Sequence, residues 1–275
     1  MKDVMLINDH FQNYKGYHLP KAQLVIADIP YNVGKNAYGS NPAWYVDGDN
    51  SNGESDLANS EFFDTDKNFR ISEFLHFCTK MIRKEPKQRN VAPAMIVFCE
   101  FEQQFEVIEK ARKYGINGYI NLIFRKNFSA QVLKANMRIV GNAEYGLVLY
   151  RDKLPKFRNH GKMVFNVMEY ERDRGSKEKI HPTQKPVKLL ERLISIFTDE
   201  GDVVIDPVAG SGSTLIAAQN LGRKAYGFEI KKDFYRKASA WIEQNGAQTN
   251  LFAGTKRREY EQTRFFDENT RQKNQ

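Results

Sequence analysis

A chain of 275 residues, 41% hydrophobic and 28% charged, has the length and composition of a globular protein with one sizeable core. No apolar run approaches the ~18 to 20 residues that cross a bilayer, and the opening Met1-Lys2-Asp3-Val4 lacks the apolar stretch of an export signal. Only two cysteines occur, Cys78 and Cys99, both in apolar segments, so a disulfide framework is excluded and a cytoplasmic location is expected. Forty-two Lys and Arg against 34 Asp and Glu give a net charge of +8, an excess that favours a polyanionic partner.

Taken in order, Val4 to Ile7 reads as a short strand ended by Asn8-Asp9-His10. Asp9 either faces a ligand at the strand's carboxyl end or caps a turn. Leu24-Val25-Ile26-Ala27 is a second strand, apolar at every position, as in a parallel sheet buried on both faces. It runs into Asp28-Ile29-Pro30-Tyr31. Pro30 cannot continue a ladder and pushes Ile29 into an extended conformation. The product is a stiff peg at the place where open α/β sheets bind ligands. A carboxylate, a carbonyl and an aromatic ring there suit a flat heterocycle bearing an amino group. The same residues also describe a strand end whose Asp caps a turn and whose Tyr packs in the core.

Residues 32–70 are rich in Gly, Asn, Ser and Asp without a sustained period, the pattern of a long functional loop or lid. Trp44 and Tyr45 within it are candidates to anchor it or to touch a partner. Ile71, Phe74, Leu75, Cys78, Met81 and Ile82 predict a helix over about 71–83. A strand follows at 94–98, then a helix marked by Phe101, Phe105 and Ile108 and stopped near Gly115, then a strand at 119–124. Alternation of strand and helix predicts a mostly parallel sheet covered on both faces.

Arg125 and Lys126 open a polar stretch, and 144–150 is a strand open to antiparallel pairing. The segment 151–180 then interleaves Arg151, Lys153, Lys156, Arg158 and Lys162 with Phe157, Phe165 and Tyr170. That mixture suits phosphate contacts and base stacking, or equally a solvated irregular face. After His181-Pro182-Thr183-Gln184-Lys185-Pro186 comes an amphipathic helix carrying Leu189, Leu190, Leu193, Ile194 and Phe197. The strand 202–205 enters Asp206-Pro207-Val208-Ala209-Gly210-Ser211-Gly212-Ser213-Thr214, followed by a helix over 215–221, a strand over 225–230 and a helix over about 233–243. Residues 1–252 read as one domain, and 253–275 as a polar, mobile tail. His76 and Cys78 lack metal-ligand spacing, and no metal is expected.

Gly210 and Gly212 let backbone approach a ligand at a helix N-terminus, and Glu229 stands roughly 20 residues on, where an acid can hold a ribose. A nucleoside triphosphate loop would need a lysine after Gly212, and a dinucleotide loop a third Gly or Ala where Leu215 stands. Asp206 would repel a pyrophosphate and attract an ammonium. A nucleoside with a zwitterionic amino-acid tail, such as S-adenosylmethionine, fits better.

These segments together resemble the amino-group DNA methyltransferases of the permuted order, in which the catalytic tetrapeptide precedes the glycine loop. Asp28-Ile29-Pro30-Tyr31 is similar to Asp-Pro-Pro-Tyr, the loop 206–214 to Asp-Pro-Phe-x-Gly-Ser-Gly-Thr-Thr, and 181–186 to the family's segment before the cofactor region. The resemblance implies a Rossmann-like α/β fold and S-adenosylmethionine bound by Asp206, Pro207, Ala209, the loop Gly210, Ser211, Gly212, Ser213 and Thr214, and Thr183 and Lys185. By the same likeness, Glu229 holds the ribose and Asp9 lies near the adenine ring. Asp28 and the Ile29 carbonyl would accept the hydrogens of the target amine, with no covalent intermediate. Tyr31 would stack on a base flipped from the duplex.

Asp at the first position of the tetrapeptide favours adenine N6 over cytosine N4. RNA or protein N-methylation, and a catalytically idle DNA-binding module, are the competing readings. Double-stranded DNA is the partner implied, with a homodimer and a cognate restriction endonuclease as further expected associations and 151–180 as the target-recognition insertion. Two departures stand out. Ile29 replaces a proline, which predicts a less rigid loop, and Val208 replaces an aromatic, which predicts weaker packing beside the cofactor.

Overall fold

Leu24–Asp28 is a strand because its apolar, β-branched residues are buried on both faces of a sheet, and that sheet organises the molecule. The computed structural model describes residues 2–31, 69–126, 131–134, 139–170 and 184–252. Eight strands form the main sheet: β1 (Val4–Ile7), β2 (Leu24–Asp28), β3 (Ala94–Cys99), β4 (Gly118–Lys126), β7 (Ala143–Tyr150), β8 (Val167–Tyr170), β9 (Val203–Asp206) and β10 (Lys224–Phe228). Their order is β1-β10-β9-β2-β3-β7-β4-β8. Every neighbouring pair is parallel except those made by β7, which runs against both β3 and β4. A separate hairpin pairs β5 (Gln131–Lys134) with β6 (Ile139–Gly141).

Alternation along each strand feeds two cores. Val25 and Ala27 face one layer with Phe74, Phe77 and Met81 of helix α1 (Ile71–Met81) and Val107 and Ala111 of α2 (Phe101–Lys113). Leu24 and Ile26 face the other, with Leu190, Leu193 and Ile194 of α3 (Val187–Phe197), Leu215 and Ala218 of α4 (Ser213–Asn220) and Ile242 of α5 (Lys232–Phe252). This is the expected α/β layering with helices on both faces. Cys78 and Cys99 are buried as free thiols. Among the described residues no helix is long and apolar enough to cross a membrane.

Five elements differ from expectation, two of them being the strands of the β5–β6 hairpin, which lies in a stretch expected only to be polar. A 3-10 helix spans Phe11–Tyr17, where no element was expected. Helix α5 continues to Phe252, beyond the expected end near 243. Strand β8 lies inside the basic stretch: Met168 and Tyr170 are buried while Val167 and Glu169 face out, a period-2 pattern masked by the surrounding charges. The expected lid (32–68 of it), with Trp44 and Tyr45, and the tail 253–275 lie outside the described residues.

Candidate active site

Because β1, β10, β9 and β2 are adjacent and parallel, the acids that end them line up along one edge of the sheet. Asp9 follows β1, Glu229 follows β10, Asp206 ends β9 and Asp28 ends β2. Three strand spacings, about 14 Å, separate the first from the last. Residues from distant parts of the sequence thus form one row at the carboxyl ends, where α/β sheets take ligands.

Each acid is held differently. Asp9 accepts from His10 N and Asn13 Nδ2 at 2.7 Å and from Tyr17 Oη at 2.7 Å. These bonds, that from Tyr17 foremost, hold its carboxyl below the usual range. Glu229 accepts from Lys231 N at 2.7 Å and Gly210 N at 3.0 Å, while burial pushes its carboxyl up against those bonds. Asp206 is 3% exposed, and burial pushes it up to about 7 despite bonds from Thr214 and the Val208 amide. A buried acid of that kind is a ready seat for a cation.

Between Asp206 and α4 the chain turns on Gly210 and Gly212, at φ 51° and 79°. At Gly212 a Cβ would stand 3.1 Å from Ile242 Cδ1 and 3.3 Å from Ala238 Cβ, so both backbone conformation and helix packing require glycine. Ala209 N donates to Phe228 O at 2.9 Å, tying the loop to β10. Ser211, Ser213 and Thr214 are buried beneath it, and Pro207 makes the turn out of β9. Val208 is partly buried and packs against the α1 core.

The tetrapeptide is tied to the strand beside it. Ile29 is buried and donates its N–H to Phe98 O at 3.1 Å, a bond that a proline could not make and that extends the β2–β3 ladder past Asp28. That bond acts against the loss of rigidity expected from the missing proline. Pro30 O accepts from Gln103 Nε2 at 2.9 Å, and Gln103 belongs to the capping box that starts α2. Tyr31 Oη donates to Asp28 Oδ1 at 3.0 Å.

Lys185 completes the cluster. The resemblance puts it on the cofactor's methionine half; the structure sets its Nζ 2.6 Å from Asp28 Oδ2, 3.2 Å from Tyr31 Oη and 3.2 Å from Glu144 Oε2. Pro186 starts α3, and the Lys185 ammonium lies 5.2 Å from the centre of the Phe98 ring and 2.6 Å from Asp28 Oδ2, at the end of β2 instead of β9. Burial opposes its charge, but Asp28 and Glu144 outweigh that and hold it well above the ordinary lysine range. Asp28 is pushed up by burial, against the pull of Lys185. Glu144 resists burial and stays low because Lys185 and Lys126 flank it. Thr183 lies outside the described residues.

Neither Glu144 nor Gln103 was singled out from sequence. Glu144 opens an apolar strand, and only the reversal of β7 brings that opening to the edge where the other strands end.

The expected DNA contacts are not brought to this edge as a group. Arg151 donates to Arg83 O and Thr79 O, and Lys153 to Pro86 O at 2.7 Å. Lys156, 8% exposed, meets Asp202 at 2.6 Å and Asp199 at 2.8 Å, and Arg158 grips Asp199 through two 2.7 Å bonds. Asp202 precedes β9, so this cluster ties the returning chain to the opposite, amino edge of the sheet. Lys162 sits in the next turn, where Asn159 Nδ2 donates to its carbonyl. Lys126 and Arg125 do stand at the carboxyl edge, ion-paired with Glu144 and Glu169. Residues 171–180 lie outside the described residues.

Comparison with known proteins bears on the fold and the family. Over 247 residues the chain is 28% identical to the DNA adenine methyltransferase YhdJ of Escherichia coli K12, covering 78% of this chain and 73% of that one. It is 46% identical to the type II methyltransferase M2.DpnII of Streptococcus pneumoniae over 63 residues, 23% of this chain and 24% of that one. Among solved structures, the M1.HpyAVI–SAM complex superposes with a TM-score of 0.59 at 20% identity, covering 86% of this chain and 98% of that one. PvuII DNA methyltransferase (cytosine-N4-specific) gives 0.61 at 14%, over 88% and 91%; both show the shared fold. The family model described as DNA methylase, N6/N4 type, matches residues 22–240, and the chain belongs to that family.

Proposed function

We propose that this protein methylates the exocyclic N6 of adenine in duplex DNA, using S-adenosylmethionine. The observation that carries the reading is the row of acids Asp9, Glu229, Asp206 and Asp28 on four neighbouring strand ends, with the glycine turn beside the third. The row suits an elongated nucleoside: a ring near Asp9, a ribose at Glu229 and a cationic amino-acid tail at Asp206. The cofactor's sulfonium supplies the methyl group when bound. Binding, orientation and proton handling fall to the chain.

An amino nitrogen attached to an aromatic ring is a poor nucleophile because its lone pair is delocalised. Asp28 and the carbonyl of Ile29 accept its two hydrogens and favour a pyramidal nitrogen whose lone pair is free. Burial, which pushes the Asp28 carboxyl up, also makes it a better acceptor for the proton released as the methyl group arrives. The Tyr31 ring offers a stacking face for a base taken out of the duplex, at a cost of a few kcal/mol. DNA approaches along the carboxyl edge. β8 ends at that edge with Tyr170, and the sequence that follows carries Arg172, Arg174, Lys177 and Lys179.

Adenine is favoured over cytosine by the Asp at position 28 and by the likeness to an adenine methyltransferase along most of the chain. Expression in a methylation-free strain, followed by nucleoside mass analysis of its DNA, is expected to yield N6-methyladenine. N4-methylcytosine would overturn the base assignment and leave the mechanism standing.

Asp206 gives the reading a pH signature. A carboxyl near pH 7 must be ionised to hold an ammonium, so affinity falls as pH drops through that value. Calorimetric titration is expected to find S-adenosylmethionine bound roughly tenfold more weakly at about pH 6 than at about pH 8. A flat profile would remove Asp206 from the cofactor's ammonium.

A further inference from the structure

Both oxygens of Asp28 are already engaged, one by Tyr31 Oη at 3.0 Å and the other by Lys185 Nζ at 2.6 Å. Each oxygen keeps a second lone pair, but at Oδ2 an arriving amine has to share its place with an ammonium that is only 5% exposed. A buried cation does not leave its counter-ion without another to receive it. Glu144 is placed to be that receiver. Its Oε1 is paired with Lys126 on β4, while its Oε2 stands 3.2 Å from Lys185 without a well-directed hydrogen bond. Across the edge, negative and positive groups alternate: Asp28, Lys185, Glu144, Lys126.

We propose that Glu144 is a positioning residue for methyl transfer: it shares the Lys185 ammonium with Asp28 and takes it over when the target amine binds Asp28. In the resting enzyme Lys185 stands in for the amine and keeps the buried carboxylate compensated. As the base enters, the ammonium moves toward Glu144 Oε2, and Asp28 Oδ2 is released to accept an N–H of the base. No proton changes owner in this step. The inference rests on the reading of Asp28 as the acceptor of the target's amino group.

Purified full-length protein, with genomic DNA from a methylation-free strain and S-adenosylmethionine, provides the test. Glu144→Gln leaves Lys185 no second carboxylate, and the expected result is a kcat lowered roughly 10- to 100-fold with unchanged S-adenosylmethionine affinity. The pH profile separates positioning from mere structure. The ionisable groups facing Asp28 are Tyr31 on its own loop, Lys185 before α3, Glu144 on β7, Asp206 on β9 and Cys99 at the end of β3. Removing the Glu144 charge moves the acid limb of kcat to lower pH, since that charge raises the Asp28 carboxyl. Glu144→Asp, which keeps the charge, leaves the limb in place and recovers part of the rate.

Lys185→Met supplies a second variant, whose acid limb moves to higher pH. Adding Glu144→Gln to Lys185→Met should then lower the rate no further, because no ammonium remains to be received. An unaltered kcat and acid limb in Glu144→Gln, or additive losses in the double variant, would overturn the proposal. Asp28→Asn distinguishes the two levels. Full activity there sinks the reading of Asp28 itself, whereas an inactive Asp28→Asn beside a normal Glu144→Gln sinks only the role of Glu144.

Discussion

Replacing Asp28 by alanine is expected to lower methyl transfer by about 10³-fold or more while S-adenosylmethionine still binds. Losing the acceptor on which the nucleophile depends raises the barrier by about 4 kcal/mol. The proposed cofactor seat lies at the ends of β1, β10 and β9, and the Asp28 side chain belongs to the next strand, β2. The fold should persist as well. Lys185, which loses Asp28 in the variant, keeps Glu144 within 3.2 Å, so no isolated charge is left in the interior. Equilibrium binding of the labelled cofactor together with a single-turnover rate checks both halves. An Asp28→Ala protein turning over at near the parent rate would be incompatible with the assignment.

Lys156→Met is expected to act on stability and not on DNA. Its ammonium is buried between Asp202 and Asp199 at the amino edge of the sheet, and its loss leaves Asp202 with Arg83 as its remaining cation. Breaking a buried pair costs 3–5 kcal/mol. The half-exposure of Asp199 and the surviving Arg83 contact reduce that to about 2–3 kcal/mol. The urea midpoint should fall accordingly, and the folded variant should retain the parent's DNA affinity. An unchanged midpoint with weakened DNA binding would return Lys156 to the nucleic-acid interface.

These two residues mark what the sequence makes legible. Asp28 stands out because a buried apolar run stops in an acid, a proline and an aromatic, a local pattern with local consequences. Asp206, Gly210, Gly212 and Glu229 are legible for the same reason, being tied by a strand–turn–helix–strand unit some two dozen residues long. The parallel sheet and its two helical layers follow from apolar runs alternating with 3.6-residue periods. Lys156, Arg158 and Lys153 were misplaced because composition reports charge and not its partners. The acids that neutralise Lys156 and Arg158 lie more than forty residues onward, and the pairing exists only once 151–158 folds back along the amino edge.

Glu144 fails in the opposite sense. An acid opening an apolar strand looks like an ordinary strand end, and its relation to Asp28 depends on the one reversed strand in the sheet. Strand β8 was hidden because its two buried residues, Met168 and Tyr170, are too few to show a period among the basic residues around them. The basic segment 151–180 therefore divides physically. Its first part secures the fold at one edge of the sheet, and Met168 and Tyr170 build into the core. Tyr170, the last described residue of this segment, ends β8 at the edge that carries Asp28.

The measurement that bears most directly on the central claim uses purified protein, S-adenosylmethionine carrying a deuterated methyl group, and unmethylated duplex DNA. After digestion, the account predicts the heavy methyl on the exocyclic nitrogen of adenine with the parent protein and none with Asp28→Ala. Labelled methyl groups at the same level with both proteins, or bound cofactor with no label on any DNA base, would contradict it.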